Sequence, residues 1–262
     1  MEIVVCKNSA EASRMAAAMI TEAVKAKPGI VLGLATGSTP VAMYAEMAKA
    51  VKNGEVSYAK AKSWNLDEYV GLSGDHEQSY RYFMDKNLFE KIDIKRSNTH
   101  VLNGLAKDFA KECASYEAQI KRAGGIDIQV LGIGSDGHIA FNEPGTSLSS
   151  RTSLVYLTPS TIKDNARLFF KGKEKEVPTM ALSMGVGTIC EAKKIILLAF
   201  GKNKANAVKG MVEGGVSQFC TASALQLHKD AWVFCDEDAA SGLKLKKYYA
   251  WRSRAVLKGC AK

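Results

Sequence analysis

Residues 30–52 read IVLGLATGSTPVAMYAEMAKAVK, and this stretch indicates the fold more clearly than any other part of the chain. The apolar run at 30–35 is typical of a buried strand. A turn rich in glycine and hydroxyl residues follows and ends at Pro40, a residue suited to the first turn of a helix. From 40 to 52 the apolar residues recur at helical spacing. The stretch therefore predicts a strand, a tight turn and a helix in succession.

The same alternation continues on both sides of this stretch. Apolar runs at 126–133, 195–200 and 232–235 are typical of buried strands, and segments 11–27 and 108–122 have the helical spacing. Such alternation predicts an α/β fold, a doubly wound and mostly parallel sheet with helices on both faces, as in Rossmann-like proteins. Because no proline- or serine-rich linker divides the sequence, we expect a single domain over residues 1–262. Ligands of such sheets bind beyond the carboxyl ends of the strands.

Composition restricts the class of protein and its partners. Of the 262 residues, 47% are hydrophobic and 24% charged, as in soluble globular proteins. The 36 basic and 27 acidic residues give a net charge of +9, which suits an anionic partner such as a phosphorylated metabolite. The basic residues are spread along the chain in short groups such as Lys244, Lys246 and Lys247, without an aromatic-basic RNA motif. We therefore expect no nucleic-acid partner.

The apolar runs and the cysteines favour the cytoplasm. The run at 195–200 is far shorter than the ~20 residues of a membrane-spanning helix, so we expect no membrane association. Residues 1–7 resemble a strand and not a signal peptide. The cysteines show neither CxxC spacing nor a regular disulfide framework, so they are expected to be reduced. They are Cys6, Cys113, Cys190, Cys220, Cys235 and Cys260.

The turn between the first quoted strand and helix is a candidate anion site. Thr36, Gly37, Ser38 and Thr39 lie where unpaired backbone N–H groups and the helix dipole favour a phosphate. The two residues before Pro40 add hydroxyl donors. Helix capping by Ser38 or Thr39 explains the same residues equally well.

A second candidate site follows the probable strand at 61–65, where the sequence reads NLDEYVG from residue 65. Asp67 and Glu68 are adjacent carboxylates, and such residues most often face water. Their position at the carboxyl edge of the sheet favours a different role, because a partly desolvated carboxylate there can act as a general base.

The third and most informative stretch, residues 131–145, reads LGIGSDGHIAFNEPG. Its glycines at 132, 134 and 137 match the dinucleotide-binding spacing, but Pro144 and Gly145 interrupt the helix that should follow. The next strand-like run, 153–157, also lacks the terminal acid of that motif. We therefore reject dinucleotide binding and predict that the glycines turn the chain tightly enough to bring Asp136, His138 and Glu143 into one pocket.

Three interpretations of this trio remain open. One histidine and two carboxylates could bind a divalent ion, although the remaining histidines lie in unremarkable contexts. Alternatively, a carboxylate fixes the tautomer of His138, whose other nitrogen then moves a proton. Finally, His138 could simply be a buried histidine with satisfied hydrogen bonds. The chemistry favours the proton relay. The remaining histidines are His76, His100 and His228.

Two basic residues complete the candidate site. Arg167 offers a planar fork for phosphate, and Lys204 follows a predicted strand, at the same edge as the other motifs. Each residue alone could be a surface charge, and the convergence of both with the other motifs favours the site.

Together these stretches resemble the glucosamine-6-phosphate deaminases, and the similarity continues in order along nearly the whole chain. The resemblance implies conversion of glucosamine 6-phosphate and water into fructose 6-phosphate and ammonia, without cofactor or metal. The segments that carry it are LATGSTP (34–40), NLDEYVG (65–71), DGHIAFNEPG (136–145), SRT (150–152), NARLFF (165–170), GVGT (185–188) and LQLH (225–228).

The resemblance also implies a role for each candidate residue. His138, supported by Asp136 and Glu143, would assist opening of the sugar ring. Asp67 would then move the proton between C2 and C1 through an enolamine. The phosphate would be held by Thr36, Gly37, Ser38, Thr39, Arg167 and Lys204.

Two other functions compete with the deaminase. The 6-phosphogluconolactonases resemble this chain in fold and in the Asp-Gly-His segment, but they typically continue Thr-Ala-Ser-Leu-Phe-Pro, whereas this chain has Ile-Ala-Phe-Asn-Glu-Pro and retains Glu143. A non-catalytic sugar-phosphate sensor fused to a transcription regulator would need a helix-turn-helix, and the chain starts directly with the first predicted strand.

Regulation is the point at which the chain departs from part of the family. Hexameric members activated by N-acetylglucosamine 6-phosphate hold its phosphate with Arg and Lys, two and four residues after the Arg of Ser-Arg-Thr. Here those positions are Ser153 and Val155. We therefore expect no activation, and a monomer or small homo-oligomer.

Overall fold

The computed structural model describes the backbone of residues 1–260 and the side chains of residues 1–257. The strands are β1 (Glu2–Cys6), β2 (Val31–Leu34), β3 (Lys62–Asn65), β4 (Asp67–Tyr69), β5 (Thr99–His100), β6 (Ile128–Leu131), β7 (Ser153–Tyr156), β8 (Met180–Ser183), β9 (Lys194–Ala199) and β10 (Ala231–Asp236). The α-helices are α1 (Ser9–Ala26), α2 (Val41–Lys52), α3 (Tyr80–Asn87), α4 (Phe109–Arg122), α5 (Pro159–Phe169), α6 (Val186–Cys190), α7 (Ala205–Glu213) and α8 (Lys246–Cys260). Strands and helices largely alternate along the chain, as the sequence predicts, except that no helix separates β3 from β4 or β6 from β7.

Seven strands form the main sheet, and every neighbouring pair in it is parallel. Their order is β1-β10-β9-β6-β2-β3-β5. All residues of β2 and β6 are buried, and apart from Gln129 in β6 they are apolar or glycine, as expected of strands that are covered on both faces. This arrangement confirms the predicted doubly wound α/β fold.

The order of the strands places one crevice at a defined position. From β2 the chain moves outward to β3 and β5, and it then returns to the other side of β2 with β6. The loops that leave β2 and β6 therefore diverge, and a ligand fits between them at this topological switch point. The candidate anion loop follows β2, and the glycine-rich segment follows β6.

A second sheet of three antiparallel strands, in the order β4-β8-β7, differs from the expectation of one mostly parallel sheet. The strand-like run at 153–157 is confirmed as β7, but it pairs with β8 in this small sheet. A separate apolar cluster packs with it and includes Tyr69, Phe141 and Phe170.

Two further expectations concern cysteines and membranes. The five cysteines whose side chains are described are free thiols, whereas the side chain of Cys260 lies outside the described residues. Within the described part of the chain, the helices are too short or too polar to cross a membrane.

Candidate active site

A cavity of about 460 Å³ opens at the switch point between the loops that follow β2 and β6. Its volume lies within the range typical of small-molecule sites. Residues from α5 and from the turn after β9 close its other sides. The predicted residues that line it are Thr36, Gly37, Ser38, Thr39, Asp67, His138, Arg167 and Lys204.

The loop after β2 has the geometry of an anion site. Gly37 adopts a φ of +93°, which favours glycine, and α2 begins four residues later at Val41. The residue at the N-cap of α2 is Pro40, and no side chain caps this helix. Helix capping by Ser38 or Thr39 is therefore wrong, and both hydroxyls remain available to a ligand. Partly free N–H groups at the start of a helix attract phosphate.

Arg167 and Lys204 reach the cavity from different elements. Arg167 lies on α5, and its Nη2 is 3.3 Å from Oδ1 of Asp164 on the same exposed helix face. Lys204 ends the turn Lys202–Lys204 that follows β9. Burial lowers the pKa of Lys204, although the charges of Asp164 and Asp136 oppose this change. Both residues line the same cavity as the loop after β2.

Asp67 begins β4 and is buried in the wall of the cavity, with only 6% of its surface exposed. Within residues 1–257, no group donates a hydrogen bond to its Oδ1. Burial and, to a lesser degree, the charge of Glu68 raise the pKa of Asp67 to about 8. A carboxylate in this environment is a strong base once it is ionised.

The structure brings Asp136, His138 and Glu143 together in the loop after β6. The Nδ1 atom of His138 lies 2.8 Å from Oδ1 of Asp136 and 3.6 Å from Oε2 of Glu143. Burial opposes ionisation of Asp136, but the hydrogen bond and charge of His138 outweigh it and lower the pKa of Asp136 to about 2. Only His138 of the three lines the cavity, so the carboxylates stand behind the ring.

Two features of the backbone fix this cluster. A Cβ at Gly134 would lie 2.5 Å from Cε1 of His138, so only glycine allows the ring to lie against this turn. The carboxylate of Glu143 accepts from the backbone N of Thr158 at 3.2 Å. Thr158 is the N-cap of α5, so Glu143 also lies at the start of that helix.

The trio offers three potential metal-ligand atoms, one imidazole nitrogen and two carboxylate oxygens, within 4.8 Å of one another. Ligands about 2.1 Å from a tetrahedral ion, however, are separated by roughly 3.4 Å. The 2.8 Å between Nδ1 of His138 and Oδ1 of Asp136 is shorter, although Nδ1 makes no hydrogen bond of suitable direction within residues 1–257, and this Oδ1 accepts from the backbone N of His138 at 3.1 Å. The separation suits an ion pair better than two ligands of one ion, and both the proton relay and the absence of a metal stay predictions.

Several residues that line the cavity were not predicted from the sequence. Tyr80, at the start of α3, lies in the lining, as do Thr161 and Asn165 on α5. The four-residue spacing of Thr161 and Asn165, two polar residues on one face of an amphipathic helix, was an available indication. Ala140 has a φ of +51°, a strained value for a residue with a side chain, and nothing in the sequence indicates it.

These features define a class of protein, an α/β protein that can hold a small anion beside a buried carboxylate and a histidine–carboxylate cluster. The family model of glucosamine-6-phosphate isomerases/6-phosphogluconolactonase matches residues 7–233, and the chain belongs to this family. The resemblance inferred from the motifs is thereby confirmed at the level of the family.

The relatives of high sequence identity are glucosamine-6-phosphate deaminases, whereas the 6-phosphogluconolactonases are distant. The chain is 54% identical to a glucosamine-6-phosphate deaminase of Shewanella loihica, over 95% of this chain and 92% of that protein. It is 51% identical to one of Clostridium perfringens, over 93% and 100%. A solved monomeric glucosamine-6-phosphate deaminase superposes with a TM-score of 0.90 at 44% identity, over 93% and 100%. The 6-phosphogluconolactonase of Trypanosoma brucei, at 0.76 and 20% over 92% and 98%, shares the fold alone.

Proposed function

We propose that this chain is a glucosamine-6-phosphate deaminase, which converts glucosamine 6-phosphate and water into fructose 6-phosphate and ammonia. The observation that carries the proposal is the placement of Asp67, a buried carboxylate whose Oδ1 has no donor in residues 1–257, in the same cavity as the anion loop. The similarity to deaminases over more than nine-tenths of the chain supports it.

The phosphate of the sugar would bind at the loop after β2. The hydroxyls of Ser38 and Thr39 and the amides around Gly37 would donate to its oxygens, and Arg167 and Lys204 would neutralise its charge. This end of the cavity would fix the position of the sugar ring relative to Asp67.

Ring opening would be assigned to His138. The Asp136 carboxylate beside Nδ1 favours the tautomer that carries its proton on Nδ1, which leaves Nε2 free to accept a proton from the anomeric hydroxyl. As the C1–O5 bond breaks, the proton returns to the ring oxygen and the open aldehyde forms. Glu143, behind the ring, would stabilise positive charge on His138 during this transfer.

Asp67 would carry out the isomerisation. Its carboxylate would take the proton from C2 while the aldehyde oxygen takes one from the ammonium group on C2, which gives an enolamine. Return of the proton from Asp67 to C1 then leaves a protonated imine at C2. Water would then add to that imine, and ammonia would leave as fructose 6-phosphate forms. A base with a pKa raised toward neutrality suits both halves of such a transfer.

The alternative of a 6-phosphogluconolactonase needs a different reaction, the hydrolysis of a ring ester. Purified protein should be incubated separately with glucosamine 6-phosphate and with 6-phosphogluconolactone, with release of ammonia and of acid measured. Ammonia from the amino sugar supports the deaminase, and acid from the lactone without ammonia rejects it. A non-catalytic sensor would bind glucosamine 6-phosphate and release neither product.

The remaining expectations belong to the same proposal. The enzyme would act on a phosphorylated amino sugar in the cytoplasm as a single domain, without metal, cofactor, nucleic acid or membrane. A monomer or small homo-oligomer is favoured, and one structural relative is described as monomeric.

A further inference from the structure

Glu68, the neighbour of Asp67, is buried and has an unusual set of hydrogen bonds. Only 2% of its surface is exposed. Its Oε1 accepts from the backbone N of Tyr69 and of Tyr80, and its Oε2 accepts from the backbone N of Arg81, each at 2.9 Å. Tyr80 and Arg81 are the first two residues of α3, so Glu68 satisfies N–H groups that a helix start leaves free. Its negative charge also lies at the positive end of the helix dipole.

The same carboxylate joins two walls of the cavity. Asp67 on β4 and Tyr80 on α3 both line it, and Glu68 connects the two elements directly. The ring of Tyr80 packs at 4.8 Å on Tyr69 and stacks at 6.1 Å on Phe141, two residues before Glu143. Movement of the start of α3 would therefore displace the surroundings of the base and of the ring-opening cluster together.

We propose that Glu68 is a positioning residue, whose carboxylate fixes the start of α3, and with it Tyr80, against the strand that carries Asp67. The inference rests on the proposed function, because it needs Asp67 as the base. Both oxygens of the Glu68 carboxylate accept hydrogen bonds of 2.9 Å from the backbone. Glu68 is therefore a structural link between the two elements and not a solvent-exposed carboxylate beside Asp67.

Glu68 also acts on Asp67 through its charge. Burial raises the pKa of both carboxyls, to about 8 for Asp67 and about 7 for Glu68. Three N–H donors favour the ionised form of Glu68, whereas Oδ1 of Asp67 has no donor in residues 1–257. As the pH falls, Asp67 therefore takes up the first proton, and removal of the charge at Glu68 lowers the pKa of Asp67.

The test compares Glu68→Gln with the wild-type enzyme and with Asp127→Asn. Asp127 serves as the control for loss of a buried carboxylate, because it also accepts a backbone N–H, from Val31 at 2.9 Å; unlike Glu68, it forms ion pairs with Lys27 and Lys193 in addition. It lies immediately before β6, at the end of the sheet opposite the cavity. For each protein, kcat and KM for ammonia release are measured from about pH 5.5 to about pH 9.5, a range that brackets the ionisation of a raised carboxyl, together with the urea midpoint.

For Glu68→Gln we expect kcat to fall roughly 10- to 100-fold with little change in KM, because small displacements of reacting groups have effects of this size. The acid limb of kcat/KM should move about one pH unit lower, because a nearby negative charge is lost. Asp127→Asn should lower the urea midpoint and keep the wild-type pH profile. A Glu68→Gln enzyme with wild-type kcat and acid limb would overturn the inference, and so would an equal shift in Asp127→Asn.

Ser79→Ala covers the case in which Glu68→Gln does not fold. Ser79 accepts from the backbone N of Tyr82 at 3.1 Å, so this variant loosens the start of α3 and leaves the charge of Glu68 in place. It should lower kcat without moving the acid limb, and an unchanged kcat would contradict the positioning role. Carbon-13 NMR titration of the Asp67 carboxyl, assigned with Asp67→Asn, separates this inference from the proposed function. It reports the effect of Glu68→Gln even if the wild-type protein releases no ammonia.

Discussion

Asp67→Asn tests the base and its environment in one variant. The substitution keeps the shape of the side chain and removes its ability to accept a proton. We expect substrate binding to persist while turnover falls roughly 10²–10⁴-fold, the range for a positioned general base. For the wild-type enzyme, kcat/KM should decrease as the pH falls below about 8, where Asp67 becomes protonated. Ionisation of the substrate affects both proteins equally and cancels in the comparison.

The same variant should gain stability in a definite pH range. The pKa of Asp67 is about 8 in the folded protein, against an ordinary value of 3.8 for an aspartate in water. Between these values the folded state binds more protons than the unfolded state, so the free energy of unfolding decreases as the pH rises. The slope is about 1.4 kcal/mol per pH unit, which gives about 4 kcal/mol between about pH 5 and about pH 8. The Asn side chain does not ionise, so Asp67→Asn does not undergo this decrease in the free energy of unfolding.

Ammonia release is measured at about pH 8 for the wild type and Asp67→Asn, and urea unfolding of both proteins is measured at about pH 5 and at about pH 8. We expect Asp67→Asn to lose turnover and to gain stability relative to the wild type as the pH rises. Near-normal ammonia release would remove Asp67 from the proposed role as base. A stability difference that does not change with pH would show that the carboxyl is not held in its protonated form by burial.

Three other outcomes follow from the site. His138→Gln should reduce turnover most when the sugar is supplied as the closed ring, and equal loss on an open-chain substrate would contradict a role in ring opening. Arg167→Ala and Lys204→Ala should each weaken binding about 10- to 150-fold, equivalent to roughly 1.5–3 kcal/mol for a charge-assisted contact. Unphosphorylated glucosamine should show no such loss, and equal weakening of both sugars would indicate a structural role. The dependence of rate on substrate concentration should be hyperbolic, and N-acetylglucosamine 6-phosphate should not activate the enzyme, because Ser153 and Val155 supply no cation for its phosphate. Sigmoidal curves that become hyperbolic when that compound is added would refute this prediction.

The central strands of the main sheet could be predicted from the sequence because they are buried on both faces, whereas the two-residue edge strand β5 was not. Strands such as β2 and β9 then appear as continuous apolar runs, and their observed bounds agree with the predicted runs to within one residue. The small sheet is indicated only in part. Its strand β4 has three residues, too few for a recognisable pattern, and although the run at 153–157 predicts β7, no local pattern indicates that β7 pairs with β8 outside the main sheet.

Some residues of the candidate site could likewise be predicted from the sequence and others could not. Residues that lie next to a glycine turn or at a strand end were found, because local sequence determines those positions. The connection of Glu68 to α3 could not be predicted. It joins residues 12 and 13 positions apart through backbone N–H groups, which every residue type except proline has. Likewise, the lining by Tyr80 depends on where α3 packs.

The small sheet also sets the distance between the two halves of the proposed chemistry. Asp67 on β4 is paired with Ser183 on β8, and the hydroxyl of Ser183 accepts from the backbone N of Phe141 at 3.1 Å. The next residue, Asn142, donates to the backbone O of Met184 at 2.9 Å. Because β8 thus contacts both the strand of the base and the loop of the ring-opening cluster, it fixes their relative position. The antiparallel pairing of the small sheet, which local sequence patterns do not indicate, is therefore what aligns proton transfer with ring opening.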